Sequence, residues 1–241
     1  MSKIICALKG AICVLSMVTV TLLSAMQDDS RQLFEAIRKS EVALVKTILE
    51  RNDPAKNKEI VNAIPECEIN TPLSLAISSK NFSKEIFELL IDNGADLEAR
   101  GRPIMMYTPG RGQEVWGYSP ERPLQEAIKK GNIEAINVLL DRGATLTNHC
   151  SDRGCWNALR GAASSVVYLP MEKTIEIINL LLDKDPTLCD IGYNDGFETI
   201  TPARLVENLA DTNSRYSCSA DKATTRLLYI AAYLKSWKEQ H

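Results

Sequence analysis

The sequence predicts an all-α chain built from repeated helix pairs, and three observations carry that reading. Thr71–Arg100, TPLSLAISSKNFSKEIFELLIDNGADLEAR, spells out one complete helix–turn–helix unit. Arg122–Thr147, RPLQEAIKKGNIEAINVLLDRGATLT, repeats its grammar almost position for position. Weaker echoes of the same pattern flank these two stretches on both sides. Such a unit cannot bury its apolar faces alone, so a folded chain needs neighbours of the same shape. About five units can be traced, near residues 30–52, 71–100, 122–147, 157–186 and 201–238.

The unit at 71–100 is the most explicit. Thr71 offers a hydroxyl cap, and Pro72 at the first helical position gives up an N–H that had no partner anyway. Leu73, Leu75, Ala76 and Ile77 make a short first helix, which Lys80-Asn81 breaks. Ser83 can cap a second helix whose Ile86, Leu89, Leu90 and Ile91 recur at helical spacing. Asn93-Gly94 supplies the left-handed residue that ends it. In the unit at 122–147, Pro123-Leu124 stands for Pro72-Leu73, Ala127-Ile128 for Ala76-Ile77, Leu139-Leu140 for Leu89-Leu90 and Gly143-Ala144 for Gly94-Ala95. TPL..A followed by LL..GAD resembles the ankyrin repeat, with Ser74 where that family usually has histidine and Gly131 at its inter-helix glycine. The resemblance implies a solenoid of stacked helix pairs with hairpin loops.

The remaining elements follow in chain order. Met1–Ala25 has Lys3 and Lys9, then the apolar core AICVLSMVTVTLLSA and small residues at Ser24-Ala25. That is the layout of a secretory signal peptide cleaved after Ala25. An uncleaved anchor is the rival, because the uncharged run reaches spanning length. Lipidation is unsupported, since Met26 stands where a lipoprotein would need cysteine. Either reading sends the rest of the chain, 26–241, out of the cytoplasm as one repeat domain. Ser30–Asn52 reads as a capping repeat with Leu33, Phe34, Ala36 and Ile37 in one helix and Val42, Leu44, Val45, Ile48 and Leu49 in the next. Asp53–Asn70 reads as a linker, with at most a short turn of helix around Ile60, Val61 and Ile64.

Gly101–Glu121 is an insertion, GRPIMMYTPGRGQEVWGYSPE, read as a β-hairpin finger with Thr108–Gly112 at its tip. Met105, Met106, Tyr107, Trp116 and Tyr118 either form a contact hot spot there or fold back over the neighbouring repeats. The unit at 157–186 has Ala158-Leu159 and Ala162-Ala163 in its first helix and Ile175, Ile177, Ile178, Leu180, Leu181 and Leu182 in its second. Its loop from Val166 to Met171 is long. Asn194-Asp195-Gly196 is a hairpin turn, and Thr201-Pro202-Ala203 restarts the motif with Leu205, Val206 and Leu209. The last helix takes in Leu227, Leu228, Ile230, Ala231 and Leu234, with Tyr229, Tyr233 and Trp237 on a flank read as a packed capping face.

Little in the sequence looks like chemistry. Histidine occurs twice, at His149 and His241, so any Ser-His or Cys-His device would need His149. Zinc-type ligand spacing is absent, and Cys150 and Cys155 are read as a disulfide stapling the loop NHCSDRGC in an oxidising compartment. Cys189 and Cys218 could pair, leaving Cys67 odd. Gly110, Gly112 and Gly117 do not precede a helix, so no phosphate loop is assigned. No catalytic residue, metal or cofactor is expected, and an enzyme is disfavoured. The formal charge is −3; losing Lys3 and Lys9 with the leader brings it to −5, which argues against nucleic acid and anionic membranes.

Binding to another protein is the expected function, with the chain acting as a monomer. The first-helix face would present Glu35, Arg38, Lys39, Leu75, Ser78, Ser79, Glu126, Lys129, Lys130, Arg160 and Ser164. The tips would add Arg100, Arg102, Tyr107, Arg111, Trp116, Tyr118, His149, Arg153 and Trp156. Arginines and aromatics gathered at the tips suit an acidic or mixed protein surface. The resemblance extends to exported bacterial ankyrin proteins, and so implies a periplasmic protein that sequesters or inhibits a partner, such as an immunity protein neutralising a toxin. A secreted effector gripping a host protein is the alternative, and a hydrolase on a repeat scaffold a distant third.

Overall fold

The computed structural model describes residues 29–103, 105–107, 114–116, 121–148, 156–189, 193–194, 199–200, 203–204, 206–208, 210 and 220–240. It divides into two compact units, 1–120 and 121–241. The leader expected at 1–25 lies outside the described residues. No helix among the described residues is long and apolar enough to cross a membrane.

The first unit holds two helix pairs and one extra helix. Residues 29–39 (α1) and Val42–Glu50 (α2) form the first pair. Leu33, Phe34, Ala36, Ile37, Val45, Ile48 and Leu49 are all buried, as the helical spacing predicts, whereas Leu44 points outward at 37 % exposure. The turn between them repeats a sequence pattern seen later, AIRKSEV here and AIKKGNI at 127–133. Ser40 takes the glycine's place with φ of 55°. A left-handed serine costs about 1–2 kcal/mol, which is offset in part by its hydroxyl donating to Asn81 O at 2.7 Å.

Pro54–Asn62 (α3) corrects the reading of 53–70 as a linker with a single helical turn. Asp53 accepts from the Lys56 N–H at 2.8 Å and Pro54 opens the helix, the same start grammar as Thr71-Pro72. The helix escapes detection because only Ile60 and Val61 are apolar enough to mark its buried side; Asn57 fills the rest. Pro72–Ser78 (α4) and Lys84–Asp92 (α5) then form the second pair. Thr71 accepts from the Ser74 N–H at 3.1 Å and Ser83 from the Ile86 N–H at 3.4 Å, so both caps are as expected. Met105–Tyr107 (β1) and Glu114–Trp116 (β2) pair antiparallel with Met105 opposite Trp116 and Tyr107 opposite Glu114. The insertion is therefore a hairpin, and its tip at 108–112 lies outside the described residues.

In the second unit Pro123–Lys130 (α6) and Ile133–Asp141 (α7) form one pair, and Ala158–Ser164 (α8) and Met171–Lys184 (α9) the next. Thr147–Asn148 (β3) pairs with Trp156–Asn157 (β4), and Tyr193–Asn194 (β5) with Thr199–Ile200 (β6). The described residues between 203 and 210 are helical (α10) and lead to the final helix, Ala220–Gln240 (α11). Glu207 joins the two by accepting from Lys235 and from Arg204, and the Lys235 hydrogen bond in particular holds its pKa below the ordinary carboxylate value. Leu227, Ile230, Ala231 and Leu234 are buried, but Leu228 is 47 % exposed and Tyr229 56 % exposed. Of the flank expected to pack, Tyr233 and Trp237 are half-buried and Tyr233 is hydrogen-bonded to Asn179; Tyr229 instead faces outward beside Leu228, because the buried stripe of α11 runs one residue to either side of them.

The two left-handed glycines around α7 separate strain from packing. At Gly143 (φ 84°) an added Cβ meets nothing within 4 Å among the described residues; at Gly131 (φ 65°) it meets the Leu169 side chain at 3.1 Å and Lys173 Cδ at 3.2 Å. Gly143→Ala is expected to cost ~1 kcal/mol, the left-handed penalty alone. Gly131→Ala is expected to cost ~2 kcal/mol because overpacking adds to it. Equal midpoints in urea denaturation of the two variants would contradict this.

Candidate first-helix binding face

The first-helix face of the first unit is less open than the sequence suggests. Arg38 forks onto Glu68, its Nη2 donating to the two carboxylate oxygens at 2.6 and 2.7 Å, while Nη1 reaches Glu35 at 3.2 Å. The Glu68 hydrogen bond is the main reason the Arg38 pKa is raised. Glu68 lies 30 residues away in sequence, so no local pattern could have revealed this clamp. Arg102, expected at a tip, instead holds the segment between α3 and α4. Its backbone N–H donates to Ile69 O at 2.7 Å and its guanidinium to Ile64 O at 2.5 Å. Binding these carbonyls makes Arg102 a structural strut. Arg100 and Lys39 are exposed.

In the second unit Lys129 pairs with Glu121 at 3.3 Å, and Lys130 with Glu126 at 3.8 Å across one helical turn. Exposed pairs of this kind contribute about 0–1 kcal/mol, yet they neutralise the cations a partner would otherwise meet. Glu35, Arg38 and Lys39 are exposed, and Leu75, Ser78, Ser79, Glu126, Lys129, Arg160 and Ser164 are half-buried. None of the positions predicted for this face enters the core. Tyr107 and Trp116 lie in the paired strands β1 and β2, and Trp156 in β4, directly opposite Asn148. Arg111, Tyr118, His149 and Arg153 lie outside the described residues, as do Cys150, Cys155 and Cys218. Cys67 is exposed with a free thiol, and Cys189 is buried. Among the described residues no group of His, Cys, Asp and Glu could hold a metal ion.

What sequence reading missed is a cleft of about 140 Å³ between the first helices α6 and α8, with Ile128 and Gly161 in its lining and Gln125, Lys129, Ser164 and Tyr168 around it. Gly161 opens it. In the register that matches Ala162 with Ala127, Gly161 takes the place of Glu126, and glycine within a helix costs up to about 1 kcal/mol against alanine. The 3-10 turn Ser165–Val167 then brings Tyr168, 57 % exposed, to the rim. Two signals were available in the sequence, the length of the Val166–Met171 loop and the glycine inside α8. A cleft this small is below the usual range for small-molecule sites, about 300–1,000 Å³. It is sized for one side chain of a partner, beside an exposed aromatic and both signs of charge.

Residues 69–102, which contain α4 and α5, match the family model of the ankyrin repeat. No curated protein matches the chain. The match adds one function to the geometry, that of a protein–protein interaction module.

Proposed function

We propose that this ankyrin-repeat protein is an exported, non-enzymatic binding protein of the bacterial envelope that sequesters or inhibits a partner protein, as an immunity protein would. The single observation behind the reading is the cleft at Gly161, where an open first-helix face is kept at a cost in helix propensity. Tyr168 is the anchor and Gly161 the floor, with Lys129 and Glu121 offering both signs of charge beside them. The leader at 1–25 supports the location, with cleavage after Ala25 releasing the repeats into the periplasm.

The test is capture from an envelope extract, read by mass spectrometry, with wild type and variants side by side. Tyr168→Ala is expected to weaken capture of the specific partner by ~30-fold, the loss typical of an aromatic hot spot. Gly161→Gln is expected to block the cleft while holding or raising stability by up to ~1 kcal/mol, because helix propensity improves. A captured partner indifferent to both substitutions would remove the cleft from the site. A purified protein beginning at Met26 and recovered in the periplasmic fraction is the expected outcome for the leader; a full-length product found in the cytoplasm would overturn export.

A further inference from the structure

A second surface lies on the outer helices of the second unit, away from the first-helix cleft. Aligning Leu139 with Leu181 matches Ile133, Glu134, Ile136 and Asn137 of α7 with Ile175, Glu176, Ile178 and Asn179 of α9. In that register α9 begins one turn earlier than α7, so Glu172 belongs to an added turn. An open groove of about 800 Å³ runs along this face, lined by Asn137 and by a full stripe of α9 from Glu172 to Lys184. The stripe follows helical spacing, and Ile175 and Leu180 give it a half-exposed apolar centre.

The charge along the groove is one-sided. Glu172, Glu176 and Asp183 are exposed. Lys184 is the cation in the lining, and it is committed to Asp141 at 2.7 Å. The apolar centre does not stop at α9. Tyr233 of α11 donates its hydroxyl to Asn179 Oδ1 at 2.5 Å, which places α11 beside the groove. The buried stripe Thr174, Ile177, Ile178 and Leu181 recurs on α11 as Leu227, Ile230, Ala231 and Leu234. Leu228 and Tyr229 therefore take the places of Ile175 and Glu176, and both are about half exposed. A leucine and a tyrosine side by side on an outward helix face point to something that covers them.

We infer that the α7–α9–α11 outer face docks a basic amphipathic segment of a partner protein, its apolar side chains on Ile175, Leu180 and Leu228 and its lysines or arginines on Glu172, Glu176 and Asp183. Tyr229 adds a ring face against which a cation can sit. Charge complementarity selects this occupant: nucleic acid and anionic lipid are repelled by the same carboxylates, and an acidic segment would meet no uncommitted cation in the lining.

The experiment titrates the full chain with a fluorescein-labelled 18-residue Lys/Leu amphipathic peptide and follows anisotropy. Controls are a Glu/Leu peptide of the same pattern, a Lys/Ser peptide and spermidine. Glu176→Lys/Asp183→Lys, both exposed positions, is expected to weaken the Lys/Leu peptide at least ~10-fold, and Tyr229→Ala several-fold, with unchanged circular dichroism. The Tyr168→Ala chain is expected to bind the peptide as wild type does, which separates this surface from the cleft. Equal binding by the charge-reversed chain, or by the Glu/Leu peptide, overturns the inference. Lys/Ser peptide or spermidine binding as tightly as Lys/Leu overturns it too, since charge alone would then suffice.

Discussion

Replacing Phe87 by alanine is expected to destabilise the first unit by about 3–5 kcal/mol, the usual cost of removing a buried aromatic. Phe87 is fully buried in α5, and its ring meets Phe82 at a centroid distance of 5.6 Å and a tilt of 58°. Phe82 precedes the cap residue Ser83, so the aromatic pair fixes the angle at which the chain enters α5. Loss of the ring leaves a cavity and loosens that entry at once. In a stack of helix pairs each pair is held by its neighbours, so the damage extends to α2, against which α5 packs. Domains have only about 5–15 kcal/mol to lose. Leu44→Ala is the comparison: Leu44 sits on α2 but is 37 % exposed, and its loss is expected to cost under ~1 kcal/mol. Urea denaturation followed by circular dichroism should show the two variants well apart. Coincident curves would mean that the α4–α5 pair is not part of the cooperative core.

Local grammar was readable and long-range pairing was not. The helix pairs followed from caps and 3.6-residue spacing, because those signals lie within one or two turns of the residues they govern. That held even for α1 and α2, where the TPL start is missing but Leu33, Phe34, Ile37, Val45 and Ile48 keep the period. It failed for α3, whose buried side is built on an asparagine, and for Leu228, whose period fits a helix but whose neighbour on that side does not exist in the described residues. The expected binding cations fared worst. Arg38 and Lys129 are positively charged in any reading, yet whether a partner can use them depends on Glu68 and Glu121, and Arg102 is spent on carbonyls of a distant segment. A composition rich in arginine at loop tips therefore overstates how much positive charge the surface offers. Gly161 carried the opposite lesson: a poor helix former inside a helix was the visible mark of the cleft.

Asn57 is where the extra helix α3 is fastened, and substituting it is the second large effect expected. The residue is buried at 5 % exposure. Its amide donates to Leu49 O at the end of α2 at 2.8 Å and to the Asn93 Oδ1 at the end of α5 at 3.0 Å. The last carbonyls of a helix have no partner within it, so one side chain completes the end of α2 while joining it to α5. Asn57→Leu keeps the volume but strands both acceptors, at about 1–3 kcal/mol for each buried group left unpaired. Among the described residues the Asn57 Oδ1 itself has no hydrogen-bond partner, and removing that buried acceptor returns part of the loss, so a net cost of ~2–3 kcal/mol is expected. Asn57→Asp should be worse at neutral pH, at ~4 kcal/mol, because it sets a carboxylate against two oxygens. Burial and those oxygens would raise the folded-state pKa of such a carboxyl above its unfolded value of about 3.9. Its penalty relative to wild type is then fully present above the folded pKa and shrinks as pH falls toward 3.9, where protonation restores a donor. The check is the difference in unfolding free energy between Asn57→Asp and wild type, measured from pH 4 to 8. A difference that stays flat, or grows on acidification, would show that α3 is not fastened through this amide.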